Sequence, residues 1–143
     1  MTLYLDTAYV AKCYVNEPDA SRVRALVRGR SGLASSAWCR PELACVMHRH
    51  VREGSLTRRQ ADRLYAIFLQ HVSEGIWELL PLSEEVLAAV EAGVRRLQGA
   101  VFVRAGDALH LASAALLGLG EIWTSDRHLL AAAPHFGLQG RSV

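Results

Sequence analysis

The stretch RAGDALHLASAALLGLGEIWTSDRH, from Arg104 to His128, organises the chain. It predicts an apolar helix, a Gly-Leu-Gly break, a three-residue strand and a Thr-Ser-Asp start to another helix. Its two acids, Asp107 and Asp126, lie where a helix begins and where a strand should end. In open α/β sheets, such positions border the crevice in which ligands bind. Each acid could serve as a helix cap or as a metal ligand.

Short apolar runs alternate with amphipathic helices along the whole chain. The expected strands are Leu3–Leu5, Leu33–Ser35, Trp77–Leu80 and Glu121–Trp123, with a last short strand at His135–Leu138. The expected helices cover about residues 7–15, 19–28, 37–52, 58–72, 84–97, 107–117 and 127–133. This alternation predicts one α/β domain over residues 1–143, in which helices cover both faces of a short parallel sheet of about four to five strands.

The composition indicates a globular protein, since 51% of the 143 residues are hydrophobic and 21% are charged. Asp6 and Lys12 interrupt the first fifteen residues, which therefore do not resemble a signal peptide. The longest apolar run, Ala108–Leu119, is too short to span a bilayer. Three cysteines without C-x-x-C spacing suggest buried free thiols in a reducing compartment. We therefore expect a soluble cytoplasmic protein that does not enter a membrane.

Basic charge is concentrated in the first half of the chain, although the net charge is only +2. Residues 1–72 hold eleven basic side chains and six acids, and all basic side chains of the protein except Lys12 are arginines. The planar guanidinium suits phosphate, so this half is compatible with nucleic acid binding. A composition bias with solvated helix faces explains the same pattern at least as well.

Two more acids follow the pattern of Asp107 and Asp126. Asp6 ends the first expected strand and precedes a helix, and Glu42 lies in the first turn of the helix after the second strand. Taken singly, Asp6 and Asp126 are best interpreted as caps, and Glu42 as an acid favoured by the helix dipole. A parallel sheet, however, gathers all of these positions at one edge.

Four carboxylates in one partly dry cleft repel one another unless a cation balances their charge. Carboxylate oxygens suit Mg²⁺ or Mn²⁺. Such an ion lowers the pKa of water and stabilises the charge of a phosphodiester under attack. The residues therefore suggest metal-assisted phosphodiester hydrolysis.

Four segments carry a resemblance to a known family: Leu5-Asp6-Thr7-Ala8-Tyr9-Val10-Ala11-Lys12, Glu42, Gly106-Asp107-Ala108-Leu109-His110-Leu111-Ala112, and Thr124-Ser125-Asp126 with Leu129. In order and spacing they resemble PIN-domain ribonucleases, above all the VapC toxins of bacterial toxin–antitoxin modules. The resemblance extends over the whole chain. Its most specific parts are the Asp107 segment and Thr124-Ser125-Asp126.

The resemblance implies a PIN-like three-layer α/β/α domain that cleaves RNA as a Mg²⁺- or Mn²⁺-dependent endoribonuclease. Asp6 and Asp107 would be the principal metal ligands, and Glu42 and Asp126 would complete the acidic pocket directly or through water. Thr7 would orient Asp6 or a metal-bound water. The resemblance also implies a homodimer and a small antitoxin that blocks the pocket. Within this reading, the Arg-rich helices at 19–28 and 40–52 are candidate surfaces for the RNA backbone.

Other sites fit the sequence less well. A phosphatase of the haloacid-dehalogenase type needs a second Asp where this chain has Ala8, and Gly29–Gly32 fits neither a P-loop nor G-x-G-x-x-G. His110 shares a helix face with Asp107 and is interpreted as a packing imidazole near the cleft rather than a ligand. The remaining alternative is a non-catalytic PIN-fold module that binds RNA or a partner protein.

Overall fold

The computed structural model describes all residues, Met1–Val143. The strands are β1 (Thr2–Tyr4), β2 (Gly32–Ser36), β3 (Trp77–Leu80), β4 (Glu121–Trp123) and β5 (Gln139–Arg141). The helices are α1 (Thr7–Tyr14), α2 (Ala20–Val27), α3 (Cys39–Arg52), α4 (Arg58–Ser73), α5 (Glu84–Arg95), α6 (Ala105–Leu116) and α7 (Arg127–Ala132), followed by a 3-10 helix (Ala133–Phe136). The predicted alternation of strands and helices is confirmed.

The five strands form a parallel arrangement in the order β3-β2-β1-β4-β5. Strands β1, β2 and β3 pair in parallel, as do β4 and β5. A parallel bridge between Leu5 and Trp123 joins the two groups, and the Asp6 N–H donates to the Trp123 carbonyl at 3.2 Å. Because all strands run the same way, their carboxyl ends meet along one edge.

The two faces of the sheet bury different side chains because successive residues of a strand point in opposite directions. Leu3 and Leu5 pack in a core cluster with residues of α1, α3 and α4, including the fully buried Phe68. Tyr4, between them, packs on the other face against α6, β4 and α7. The helices thus form layers on both sides of the sheet, as the α/β/α prediction requires.

Two of the helices that border the sheet edge begin at an acid. Asp6 Oδ1 accepts the N–H of Tyr9 at 2.9 Å and caps α1. Asp126 Oδ1 accepts the N–H groups of His128 and Leu129 at 2.7 and 3.1 Å and caps α7. These bonds satisfy donors that have no partner within the helix. Capping by both acids is therefore confirmed, and it orients each carboxylate at the sheet edge.

The start of α6 differs from the prediction. The helix begins at Ala105 rather than Asp107, so Asp107 is its third residue and accepts the N–H of Arg104 at 3.3 Å through Oδ2. Gly106 resembles a helix break in the sequence, but it lies inside the first turn. A helical glycine there is tolerated because it costs only about 1 kcal/mol relative to alanine.

The last strand was also predicted in the wrong place. His135 and Phe136 belong to the 3-10 helix, which Pro134 helps to start, and Gly137 ends it with a φ of 72°. The strand follows at β5, whose Gln-Gly-Arg sequence carries no strand signal. It forms because its backbone pairs with β4, a long-range contact that local sequence does not encode.

The cysteines are free, as predicted, but only Cys39 is fully buried. Cys13 is half-buried, and burial raises the pKa of both thiols to about 12. Cys45 is exposed, so the prediction of three buried thiols is wrong at this position. Cys45 lies on the outer side of α3, whereas Leu43 and Met47 of the same helix are buried in the core. None of the helices has both the length and the apolar character needed to cross a membrane.

Candidate active site

A pocket of about 290 Å³ opens at the carboxyl ends of the central strands. Its lining includes all four predicted acids together with Thr7 and His110: Asp6, Thr7, Glu42, Asp107, His110 and Asp126. Asp6 follows β1 and Asp126 follows β4, whereas Glu42 and Asp107 come from the first turns of α3 and α6. Four distant parts of the sequence therefore contribute one acid each to the same pocket.

Asp6 is the most enclosed of the four acids, with 4% of its surface exposed. While Oδ1 caps α1, Oδ2 accepts the hydroxyl of Thr124 at 2.5 Å. The same hydroxyl oxygen accepts the N–H of Asp126 at 2.9 Å. Thr124, itself fully buried, therefore fixes Asp6 and the backbone of Asp126 together.

Glu42 is held by side chains from two other elements. Its Oε1 accepts the Thr7 hydroxyl at 2.7 Å and lies 2.7 Å from His110 Nε2. His110 Nε2 is also 3.0 Å from Thr7 Oγ1, and Nδ1 is 2.9 Å from the hydroxyl of Tyr4. The Thr7 hydroxyl donates to Glu42 and not to Asp6, while its predicted alternative role, orienting a metal-bound water, stays a prediction.

Asp107 and Asp126 are held only by backbone groups near the start of their own helices. Asp107 accepts one long bond from Arg104 N–H, and Asp126 accepts its two capping bonds. Asp107 is half-buried and Asp126 is exposed. Asp107 Oδ1 and Asp126 Oδ2 accept no hydrogen bond from the protein. These two acids therefore present uncommitted oxygens to the pocket.

The charges of the acids influence one another. Burial is the main cause that raises the pKa of Asp6, against the Thr124 hydrogen bond, and the charge of Asp126 raises it further. Burial likewise raises the pKa of Asp107, and Asp126 again adds to the increase. For Glu42, burial acts in the same direction, but the hydrogen bond and charge of His110 outweigh it and lower the pKa. The pocket thus disfavours further negative charge at Asp6 and Asp107.

His110 belongs to the site more closely than the sequence predicted. Its expected place near the cleft is correct, and its side chain is 2% exposed, but it bonds Glu42 and Thr7 instead of merely packing. One signal was present in the sequence: a polar residue within an apolar helix, one turn after Asp107. The partners of that residue lie 68 and 103 positions away, which local pattern does not reveal.

The donor set of the pocket suits a hard divalent cation held by few ligands. No three Asp, Glu, His or Cys side chains are arranged to hold a metal ion together. Mg²⁺, however, commonly takes one or two protein carboxylates and keeps water in its other positions. Asp107 Oδ1, Asp126 Oδ2 and Glu42 Oε2 accept no hydrogen bond and meet this requirement. The negative charge of Asp126 adds to the effect of burial in raising the pKa of Asp6 and Asp107.

A second groove, about 480 Å³ in volume, adjoins the acidic pocket and shares Thr7, Ala8 and Glu42 with it. Trp38, Val46 and Ala11 contribute apolar surface, while Glu17 and Arg49 face each other at 3.4 Å. Of the two predicted Arg-rich surfaces, the α3 helix thus places Arg49 beside this groove.

Comparison with known proteins adds a family to this geometry. The sequence profile described as PIN domain matches residues 3–134. A protein named Ribonuclease VapC46, from Mycobacterium tuberculosis strain ATCC 25618 / H37Rv, is 31% identical over 138 residues, which cover 95% of this chain and 93% of the relative. Ribonuclease VapC47, from strain CDC 1551 / Oshkosh of the same species, is 28% identical, with 94% and 92% covered.

Solved structures support the same fold. The chain superposes on a chain of VapBC2 from Rickettsia felis, a complex crystallised bound to a DNA fragment from its promoter. The TM-score is 0.71 at 17% identity, and the match covers 100% of this chain and 99% of that one. FitAcB from Neisseria gonorrhoeae gives a TM-score of 0.60 at 16% identity, with 98% and 96% covered. At these identities the likeness concerns the fold alone.

Proposed function

Because the chain belongs to the PIN-domain family and is similar to VapC ribonucleases over nearly its whole length, we propose that it is a Mg²⁺- or Mn²⁺-dependent endoribonuclease. The observation that carries this proposal is the acidic pocket. Asp6, Glu42, Asp107 and Asp126 come from four separate elements and line one cavity at the sheet edge. Helix capping alone explains each acid singly, but it gives no reason for all four to meet.

In this function Asp6 and Asp107 would hold the cation, since each Asp6 oxygen accepts one hydrogen bond and keeps a second lone pair for a metal. Glu42 and Asp126 would support the cation directly or through water. When bound, a divalent cation supplies the positive charge that lowers the pKa of water and stabilises the phosphodiester under attack. The chain's own contribution is to keep the carboxylates in place. Thr124 and the Tyr9 N–H fix Asp6, and the Thr7 hydroxyl fixes Glu42.

The surroundings of the pocket favour entry of an RNA backbone over a small apolar substrate. The acidic pocket can accept a phosphate only with a cation between the two, and the adjoining groove offers Trp38 and Arg49. Arginine binds phosphate through its planar fork, and aromatic rings stack on unpaired bases. Single-stranded RNA is therefore the substrate we propose.

The biological role we propose is that of the toxin in a type II toxin–antitoxin pair, acting in the cytoplasm as a homodimer. Support comes from the VapC names of the curated relatives and from a fold neighbour crystallised as VapBC2. Coexpression with the product of a short adjacent reading frame tests the antitoxin, because a true antitoxin copurifies and suppresses cleavage. Light scattering of the purified protein tests the dimer.

The central test is cleavage of total bacterial RNA by the purified protein with EDTA, Mg²⁺ or Mn²⁺. We expect cleavage only with the divalent ions and a loss of at least about 10²-fold in Asp107→Asn, because this substitution removes a charged oxygen ligand while keeping the side-chain shape. Asp62→Asn is the matched control, since Asp62 is exposed on α4 outside the acidic pocket.

The same preparations distinguish the non-catalytic alternative. RNA binding without cleavage under every metal condition would identify a PIN-fold binding module instead of a nuclease. Cleavage that is equal in wild type and Asp107→Asn would point to a contaminating ribonuclease.

Metal binding has a separate readout in thermal stability. A cation that binds only the folded state raises the melting temperature. We expect Mg²⁺ or Mn²⁺ to raise it for wild type and Asp62→Asn and to have little effect on Asp6→Ala. An identical response in all three proteins would show that the acids of the pocket do not bind the ion.

A further inference from the structure

His110 connects the two helix layers at the sheet edge. It lies on α6, on the face of the sheet that carries Tyr4, while Glu42 lies on α3, which packs on the opposite face. Its Nε2 is 2.7 Å from Glu42 Oε1, and its Nδ1 is 2.9 Å from the Tyr4 hydroxyl. The imidazole thus reaches past the end of the sheet, with both nitrogens in hydrogen-bond contact.

The partners of the ring show which nitrogen must carry a proton. An ionised carboxylate only accepts, so Nε2 must donate to Glu42 Oε1. Nδ1 lies within hydrogen-bond distance of the Tyr4 hydroxyl, so both ring nitrogens have a partner.

Glu42 needs such a support because its side chain is long and only half-buried. Fixing a free Glu side chain costs on the order of 1.5–2 kcal/mol of conformational entropy. Thr7 and His110 both bind Oε1, whereas Oε2 accepts no hydrogen bond and lies beside Gly106, directly before Asp107. One oxygen is thereby anchored and the other is directed to the side of the pocket where α6 begins.

We infer that His110 is a positioning residue of the site, which together with Tyr4 holds Glu42 so that Oε2 faces the reacting groups. The inference rests on the proposed nuclease function and extends it to a residue outside the four acids. A merely structural His110 would fill space between the helix layers, and an apolar residue of similar volume would serve equally well. The two roles therefore differ in what replacement does to cleavage.

Two substitutions of His110 separate positioning from packing. His110→Leu keeps much of the volume and removes both hydrogen bonds, whereas the amide nitrogen of His110→Gln replaces Nε2 as a donor to Glu42. We expect His110→Leu to lower kcat about 10- to 100-fold, the usual loss when a supporting hydrogen bond of a metal site is removed. His110→Gln should recover most of this loss.

Binding and stability serve as readouts besides cleavage. The Kd for a random-sequence single-stranded RNA pool, measured in EDTA, should stay within about twofold of wild type in both variants, because His110 is buried and does not touch RNA. The matched control is His135→Leu, which makes the same substitution at an exposed histidine outside the acidic pocket. It should cleave as wild type does. Melting temperatures of all variants show whether each is folded.

The outcomes separate failure of this inference from failure of the nuclease proposal. If wild type cleaves and His110→Leu, folded, cleaves equally well, His110 is a packing residue and the inference is wrong. The same holds if His110→Gln is as impaired as His110→Leu. If wild type cleaves no RNA under any metal condition, the nuclease proposal fails, and the hydrogen-bond arrangement is then judged by spectroscopy alone.

Nitrogen NMR of the histidine rings provides that independent judgement. The chain has six histidines, and the signal that His110→Gln loses identifies the ring. We expect a proton on Nε2 in metal-free protein, and in Tyr4→Phe a changed Nδ1 shift, because the hydrogen-bond partner of that nitrogen is gone. A neutral ring with its proton on Nδ1 would overturn the inference, since such a ring has no hydrogen to donate to Glu42.

Discussion

The acidic pocket has two halves that are held in different ways. The inner acids, Asp6 and Glu42, are fixed by side chains of distant elements: Thr124 for the former, Thr7 and His110 for the latter. The outer acids, Asp107 and Asp126, accept only backbone N–H groups within three residues of themselves. The inner half is thus defined by the tertiary fold, and the outer half by two helix starts.

This difference assigns different tasks to the halves. The inner carboxylates are immobilised before any ligand arrives, because their partners are buried and bonded in turn. Glu42 also keeps Oε2 free, but its other oxygen is bonded to two buried side chains. The outer carboxylates are held only by backbone groups at a helix start, so they can adapt more freely to a cation. A preorganised half combined with an adaptable half suits the function proposed above, in which the site would bind a hydrated ion and then a polymer.

The largest effect should come from breaking the contact that joins the halves. Thr124→Val keeps the shape of the side chain but removes the hydroxyl that donates to Asp6 and accepts from the Asp126 N–H. We expect the free energy of unfolding to fall by about 2–3 kcal/mol, since a buried carboxylate oxygen and an amide lose their partner. Urea unfolding in metal-free buffer measures this loss.

The control for that substitution is Thr2→Val, which makes the same chemical change in β1, where the Thr hydroxyl has no hydrogen bond. It should change stability by less than about 0.5 kcal/mol. An equal loss in both variants would mean that the Thr124 hydroxyl does not support the inner half.

The two halves also differ in how well the sequence predicted them. The outer acids are part of local signals, namely a helix start near Asp107, which the structure places two residues earlier at Ala105, and a Thr-Ser-Asp cap. The family motif falls on both acids. The positions of the inner acids were predicted as well, from strand and helix order. Their distant partners were not, because His110 reaches Glu42 and Thr124 reaches Asp6 across long sequence separations that no periodicity encodes.

The prediction of the strands likewise succeeded for local signals and failed for long-range pairing. Strand β3 was predicted at Trp77–Leu80, its observed bounds, because an apolar run between turn signals defines it locally. Strand β5 was misplaced because only pairing with β4 defines it. Prediction from the sequence thus succeeded where structure is local and failed where it depends on tertiary pairing.

The two inner acids should also differ in how they make the free energy of unfolding depend on pH, an effect smaller than that of Thr124→Val. Burial raises the pKa of Asp6, so the folded state binds a proton more tightly than the unfolded state. Wild type should therefore lose stability relative to Asp6→Asn as pH rises from about 4, the ordinary Asp value, through the raised pKa. Each unit by which the pKa is raised corresponds to about 1.4 kcal/mol.

Glu42 should behave in the opposite way, because the bond and charge of His110 outweigh burial and lower its pKa. Its contribution is present above about pH 4.3, the ordinary Glu value, and is lost as pH falls through the lowered pKa. Stability curves of Asp6→Asn and Glu42→Gln against pH, each minus wild type in metal-free buffer, should have slopes of opposite sign. Slopes of the same sign would contradict the distinction.

In the outer half, Asp126 combines a capping role with a proposed role in the site, and two substitutions separate them. Asp126→Asn keeps an oxygen that accepts the His128 and Leu129 N–H groups, so stability should change little while cleavage falls strongly. Asp126→Ala removes the cap as well and should cost about 1 kcal/mol more. Full cleavage by Asp126→Asn would leave capping as the only function of this residue.

The smallest change in stability is expected where the halves approach each other, at Gly106. A Cβ on this residue would lie 3.2 Å from Trp38 Nε1 and 3.3 Å from Glu42 Oε2, closer than side chains normally approach. Gly106→Ala should gain about 0.5–1 kcal/mol from helix propensity and lose a similar amount to the crowding, so that the free energy of unfolding stays within about 0.5 kcal/mol of wild type. Cleavage should nevertheless fall several-fold, since Glu42 Oε2 must shift by a few tenths of an ångström, less than the 1 Å that can cost about 10²-fold.

Gly99→Ala, with no atom near its Cβ, is the matched control and should cleave as wild type does. Unimpaired cleavage by Gly106→Ala would show that Glu42 tolerates displacement and that the inner half is less rigid than its hydrogen bonds indicate.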